Sequence, residues 1–286
     1  MLLVVCVGQL APTGQAYAQK INAGERQDLR ERPDRGVGRE SQFKASDGKA
    51  AGPLTATFSF SAAYTSNAGA TDEDEVASPY ATPGLAIKYK QANLLADWGL
   101  SAAAGLDGDL YDKDGYDESR FDWNIAAFRS VRGGVLSIKH RVLDTYSRDF
   151  DDRTAHVKRT SVNYEGEISG GPSYMVTVEY QTSPDPNSRR SRFQLYLSKD
   201  VATPWAGWML GLEETLALFD YRAGDNRTRE DVFSKTEFTL AREVTASALN
   251  APVKVGAKAA VGWNDSSRSG KDYIAFEVGP LIEVKF

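Results

Sequence analysis

From Leu54 onward, apolar residues fall on alternate positions in one segment after another of about ten residues, each bounded by turn or loop chemistry. The last segment is the cleanest. There Ile274, Phe276, Val278, Pro280, Ile282, Val284 and Phe286 hold the even positions, with Glu277, Glu283 and Lys285 among the odd ones. A period of two marks a strand with one oily face and one wet face. The alternation predicts about twelve strands, over 54–66, 82–91, 94–106, 119–131, 135–146, 154–168, 173–182, 190–199, 206–221, 230–245, 252–264 and 272–286.

The connections sort by length. Segments 67–78 (with Asp72-Glu73-Asp74-Glu75), 107–118, 147–153, 183–189, 222–229 and 265–271 are long and charged. Between them come short turns at Gln91-Ala92-Asn93, Arg132-Gly133-Gly134, Ser169-Gly170-Gly171-Pro172, 200–204 and 246–251. Strict alternation puts the long loops at one end of the sheet and the short turns at the other. This arrangement predicts an all-β fold: a closed, antiparallel, up-and-down transmembrane barrel.

Composition alone points elsewhere, since a mean hydropathy of −0.43 with 26% charged residues suits a soluble protein. No apolar run is long enough for a membrane-spanning helix. A barrel escapes this argument because only every second residue of a strand meets lipid. At the start of the chain, the apolar stretch Met1 to Leu10 followed by Ala16-Tyr17-Ala18 reads as a signal peptide over 1–18. Its removal would take away Cys6, the one cysteine, and with it any disulfide or thiolate metal site. Residues 19–51 carry Arg26, Asp28, Arg30, Glu31, Arg32, Asp34 and Arg35 with almost no apolar period. They read as a flexible polar periplasmic tail, with a plug inside the barrel as the alternative, and 52–286 as the barrel itself. A net charge of −5 argues against a nucleic-acid partner.

Parity divides each strand between lipid and lumen. The lumen set holds Lys88, Lys90, Arg120, Lys139, Arg141, Arg192, Lys235, Lys254 and Lys258, with Asp122, Glu165, Glu167, Glu179, Glu213, Glu237, Glu277 and Glu283. Bases gather on the second, fifth and eleventh strands and acids on the sixth and seventh, which would set a field across a pore. Such a lumen suits a narrow channel for small polar or charged solutes. The alternative is a salt-bridged interior in a non-conducting structural or surface-interaction barrel. Tyr64, Tyr89, Trp123, Tyr164, Tyr174, Trp208, Trp263 and Phe286 are candidates for aromatic girdles. His140 and Glu214 fall on lipid parity near mid-strand, where a charge is costly. A β-bulge near Glu213-Glu214 would turn the side chain inward, and contact with another subunit would also shelter it.

The alternating loops and turns, the signal-like start and the apolar last strand ending in Phe286 resemble those of bacterial outer-membrane β-barrel proteins. The resemblance covers about residues 52–286 and implies an integral outer-membrane location, with lipid and lipopolysaccharide as surroundings. It also implies that the barrel-assembly machinery reads the final strand, where Phe276, Val278, Ile282, Val284 and Phe286 hold the matching positions. It implies no cofactor, no metal and no oligomeric state. Porins, enzymes and secretion barrels share these features.

Lipid hydrolases of such barrels need a nucleophile with a base in reach. Only His140 and His156 are available, and neither His140-Arg141-Val142 nor His156-Val157-Lys158 carries the His-x-Ser arrangement of the phospholipase family. The carboxylates of 107–118 alternate as divalent-cation ligands do, but no glutamate closes the calcium-loop pattern, so a solvated acidic loop is the plainer reading.

Overall fold

The structure is a computed structural model and describes residues 54–66, 77–95, 97–112, 117–147, 150, 152–222, 228–246, 251–268 and 272–285. The expected signal peptide, the tail over 19–51 and Phe286 lie outside the described residues. Twelve strands run in chain order: β1 (Leu54–Thr65), β2 (Ser78–Leu95), β3 (Trp98–Tyr111), β4 (Glu118–Val131), β5 (Gly134–Tyr146), β6 (Arg153–Glu167), β7 (Ser173–Thr182), β8 (Arg190–Ala202), β9 (Trp208–Arg222), β10 (Thr228–Ala246), β11 (Ala251–Ser266) and β12 (Tyr273–Lys285). Each pairs antiparallel with its chain neighbours, and β1 pairs with β12, so the sheet closes into a barrel.

The pattern of burial is that of a soluble protein turned inside out. Val178, Phe276 and Val278 are each more than half exposed, at 59%, 58% and 57%, and Leu54, Leu85, Ile138, Leu216, Leu218 and Phe238 lie on the same outer face. The alternate residues are polar or charged and buried, among them Asp109, Arg159, Glu179, Arg190 and Glu237. Charged side chains are rarely buried unless paired, and a continuous apolar exterior has no place in water. The outer face is therefore a belt that meets hydrocarbon, and the wet face lines the lumen. Toward the turn end, Tyr164 and Tyr174 pack with ring centroids 6.0 Å apart, and Arg242 lies 5.6 Å over Trp208. Amphipathic contacts of this kind belong at a membrane–water boundary.

Several strands run past their expected ends. β2 begins at Ser78 rather than 82 and continues through Gln91-Ala92-Asn93, so that the chain turns at Asp97 instead. Asn93 and Asp97 take φ of 54° and 69°, a conformation that Asn and Asp tolerate better than most residues. Leu94, expected at the start of the third strand, consequently belongs to β2. β3 runs on to Tyr111, drawing Asp107 and Asp109 out of the expected loop and into the barrel wall.

No bulge occurs at Glu213-Glu214. The register of β9 is continuous from Arg190↔Tyr221 to Ala202↔Met209 on one side and from Thr228↔Arg222 to Arg242↔Trp208 on the other. Glu214 therefore stays on the outer wall. Its two carboxylate oxygens accept hydrogen bonds from Ser234 Oγ at 2.8 Å and Thr236 Oγ1 at 2.5 Å. These hydroxyls do locally what an inward rotation was expected to do: they satisfy the carboxyl group.

The closing seam between β1 and β12 has a weak point. Ser61 pairs with Leu281 and Tyr64 with Val278, but Ala62 and Ala63 have no ladder partners opposite Pro280 and Gly279. Proline has no N–H to donate. A Cβ on Gly279 would collide with the Ala62 carbonyl oxygen, so only glycine lets the strands approach here.

Gly279→Val should impair closure and lower the folded fraction recovered in detergent, measured by heat-modifiable gel migration. Val178→Arg should destabilise the folded barrel by about 2–4 kcal/mol in urea titrations in lipid vesicles, because it places a charge on the hydrocarbon face.

Candidate functional site: the barrel lumen

The inward face follows from register. With Leu85, Ile87 and Tyr89 on the outside of β2, Lys88 and Lys90 point to the lumen; Lys90 sits 5.3 Å over the Phe128 ring of β4. The same alternation places Lys139, Glu165, Glu167, Glu213 and Lys254 on inward positions of β5, β6, β9 and β11.

Several groups of ion pairs stand out among the described lumenal charges. On β3 to β5, Arg120 donates from Nε to Asp107 at 2.5 Å and from Nη1 to Asp109 at 2.8 Å, and Arg141 Nε donates to Asp122 at 2.9 Å. Thr82 of β2 adds a donor to Asp109 at 2.6 Å. On β6 to β8, Glu179 accepts from Arg192 at 2.8 Å and lies 3.9 Å from Arg159, which donates to Gln181 at 2.7 Å. On β10 to β12, the Lys235 ammonium lies 3.5 Å from Glu277 and 3.9 Å from Glu237, and Lys254 stands opposite Glu283.

This pairing corrects the expectation of a field across the pore. Glu179 of β7 is flanked by Arg159 and Arg192 on the strands to either side, and the basic β5 residue Arg141 is held by Asp122 of β4. Opposite charges thus meet between neighbouring strands at these positions, which weakens a field across the pore.

The alternation continues past residue 106, into the segment expected as a charged loop. In Leu106-Asp107-Gly108-Asp109-Leu110-Tyr111, the leucines hold the outer parity and the aspartates the inner. Arg120 engages both carboxylates, which leaves them to an ion pair rather than to a solvated loop. Arg159, Arg190 and Asp231 are further inward charges absent from the expected set; Arg190 Nη1 donates to Tyr221 Oη at 3.0 Å, with its guanidinium 4.5 Å over Phe219.

Side-chain volume is distributed unevenly. The inner faces of β1 to β3 carry mostly small residues: Thr57, Ser59, Ser61 and Ala63, then Gly84 and Ala86, then Ser101, Ala103 and Gly105. The opposite wall carries Arg159, Met175, Arg192, Gln194 and Tyr196. A cavity of about 290 Å³ accordingly lies off centre, bordered by Ser59, Ser61, Thr82, Asp107, Asp109, Arg120, Arg141, Lys235, Glu237, Lys258, Glu277 and Glu283, with Phe60, Tyr80, Leu143 and Leu281 as its apolar members. Toward the loop end, Phe219, Tyr221, Phe233 and Tyr273 form a buried cluster, and Tyr80 stacks on Tyr111 with centroids 5.1 Å apart.

Both histidines lie on the outer wall. His140 Nδ1 is 3.0 Å from Thr160 Oγ1, and His156 Nδ1 is 2.7 Å from Asp144 Oδ1. The first pair has a hydroxyl but no carboxylate, and the second a carboxylate but no hydroxyl bonded to the ring. Neither completes a nucleophile, base and orienting acid among the described residues. On β12, Phe276, Val278 and Ile282 face the belt, while Val284 is buried with Ala251 and Val253.

No protein-family model matches the chain, and no curated protein does. Solved structures do. An outer membrane channel from Pseudomonas putida F1 aligns over 83% of this chain and 97% of its own, with a TM-score of 0.47 and 10% identity. The KdgM porin aligns over 80% and 99%, with a TM-score of 0.40 and 9% identity. The outer membrane phospholipase A from Escherichia coli aligns over 80% and 89%, with a TM-score of 0.45 and 12% identity. The chain is a closed, twelve-stranded antiparallel β-barrel of the membrane-spanning type. Its architecture rests on the closed sheet and the apolar belt, and likenesses this distant assign no activity.

Removing Arg120 would take from Asp109, 1% exposed, a guanidinium bonded to it at 2.8 Å, and from Asp107 its partner at 2.5 Å. Arg120→Ala should therefore cost about 3–5 kcal/mol in urea unfolding followed by tryptophan fluorescence. Adding Asp107→Asn and Asp109→Asn should recover much of that loss.

Proposed function

We propose that the protein is an integral outer-membrane barrel providing a narrow, porin-like path for passive diffusion of small polar or charged solutes. The observation that carries this reading is the off-centre polar cavity, lined by carboxylates and cations on a wall of small residues. Bulk on one side and serine, glycine and alanine on the other leave space beside the ion pairs rather than between them. Charges already paired across strands do not need to open for a solute to pass. Because the lining carries both signs, selectivity between anions and cations should be weak. Recognition of β12 by the barrel-assembly machinery belongs to the same proposal, with Phe276, Val278 and Ile282 as the exposed apolar signal, and it assigns no catalytic step.

A second reading is a non-conducting barrel with a structural or surface-interaction role. It is favoured by the aromatic cluster of Phe219, Tyr221, Phe233 and Tyr273 toward the loop end. Planar-bilayer recording separates the two. The channel predicts stable current steps that grow with salt concentration, and Ser61→Trp should block most of the current while leaving the folded barrel intact. A silent bilayer with well-folded protein would favour the closed interior.

A further inference from the structure

The outer wall of β5 and β6 departs from the apolar belt near the loop end. Register places Asp144 opposite His156 and Val142 opposite Lys158, all on the outer face. One turn of sequence further on, the ladder slips: Thr145 pairs with Ala155, but Tyr146 pairs with Arg153, leaving Thr154 as the extra residue of a bulge. Without the slip, Arg153 would share the inward parity of Ala155 and Val157. The bulge turns it outward, where its Nη1 lies 3.5 Å from Asp144 Oδ1, the atom that also meets His156 Nδ1 at 2.7 Å. Bulges at barrel rims commonly re-aim a side chain in this way.

The result is a pair of exposed cations on the outer wall near the loop end. Arg153 is 54% exposed, and the carboxylate it meets among the described residues, Asp144, is shared with His156. Lys158 is exposed and makes no ion pair among the described residues. Tyr146, packed against Phe150 with centroids 5.4 Å apart, supplies the amphipathic aromatic expected where the hydrocarbon ends. On the far flank, the outward residues Asp220, Glu230 and Asp265 at the same end of β9, β10 and β11 are acidic.

We propose that Arg153 and Lys158 form a binding site for the phosphate of a membrane lipid in the leaflet on the loop side, with Asp144 and His156 positioning the guanidinium. The lipid's acyl chains lie on the apolar belt below and its phosphate meets the long side chains of the two cations, which stand on the outer face of β6 opposite Tyr146 and Val142, about 13 Å apart along the strand with His156 between them. Arginine supplies a planar pair of N–H donors and lysine a point charge. The acidic flank repels the same headgroup and so favours this position on the rim. The site depends on the outer wall alone and stands or falls independently of conduction through the lumen.

The test is binding of bisphosphorylated lipid A to the full-length protein in micelles of zwitterionic detergent, followed by native mass spectrometry. Each variant is checked for heat-modifiable migration. The Arg153→Ala/Lys158→Ala variant should bind about tenfold or more weakly, whereas Arg153→Lys/Lys158→Arg should keep most of the affinity. Arg129→Ala, which removes an outward cation near the turn end, should bind as the parent does. Lipid A stripped of phosphate should bind the parent as weakly as the double-alanine variant binds the intact lipid. Wild-type affinity in a folded double-alanine variant, or equal binding of phosphate-free lipid, would overturn the proposal. So would displacement of the lipid by millimolar inorganic phosphate, which would mark a free-anion site, or a protein dimer that must dissociate before lipid binds.

Discussion

Closure of the sheet is the constraint on which everything else depends. Inside hydrocarbon, each unpaired N–H or C=O is costly, and a sheet escapes that cost only when its first strand finds its last. β1 and β12 meet this need across a seam that is imperfect at Ala62 and Ala63, where proline and glycine stand opposite. Gly279 is tolerated because its missing side chain allows close approach, and the ladder resumes above and below. Closure in turn fixes the parity of all twelve strands, so every side chain is assigned either to lipid or to lumen.

The lumen meets its electrostatic requirement locally. Buried charges are stable when paired and hydrogen-bonded, and the tilted ladder of neighbouring strands brings opposite signs within bonding distance at Arg120, Arg141 and Arg192. The short range of these pairs lets charged residues fill one part of the barrel without making it strongly selective. Space remains where the side chains are small. The cavity position is therefore a consequence of residue volume on β1 to β3 as much as of charge on β10 to β12.

The outer wall shows the same economy in reverse. Two polar side chains on lipid parity, Glu214 and His140, are each met by hydroxyls on the adjacent strand rather than being rotated inward. Nearer the rim, where water and headgroups are close, the bulge at Thr154 adds a cation to the outside instead of removing one. Depth separates these cases: a polar group at mid-wall is satisfied within the protein, whereas one near the loops is open to the membrane surface.

Much of this was legible in the chain. Alternation, loop lengths and the closing run from Tyr273 pointed to the fold class and the strand number, because a period of two in segment after segment suits a closed sheet with two unlike faces. Strand ends were less legible, since Asp107 and Asp109 look like loop residues until Arg120 stands opposite them. Partnership was not legible at all. Which acid meets which base, whether Glu214 is turned by a bulge or satisfied in place, and that Arg153 changes face all depend on inter-strand register. Register is a relation between residues distant in sequence, and only the closed tertiary structure decides it.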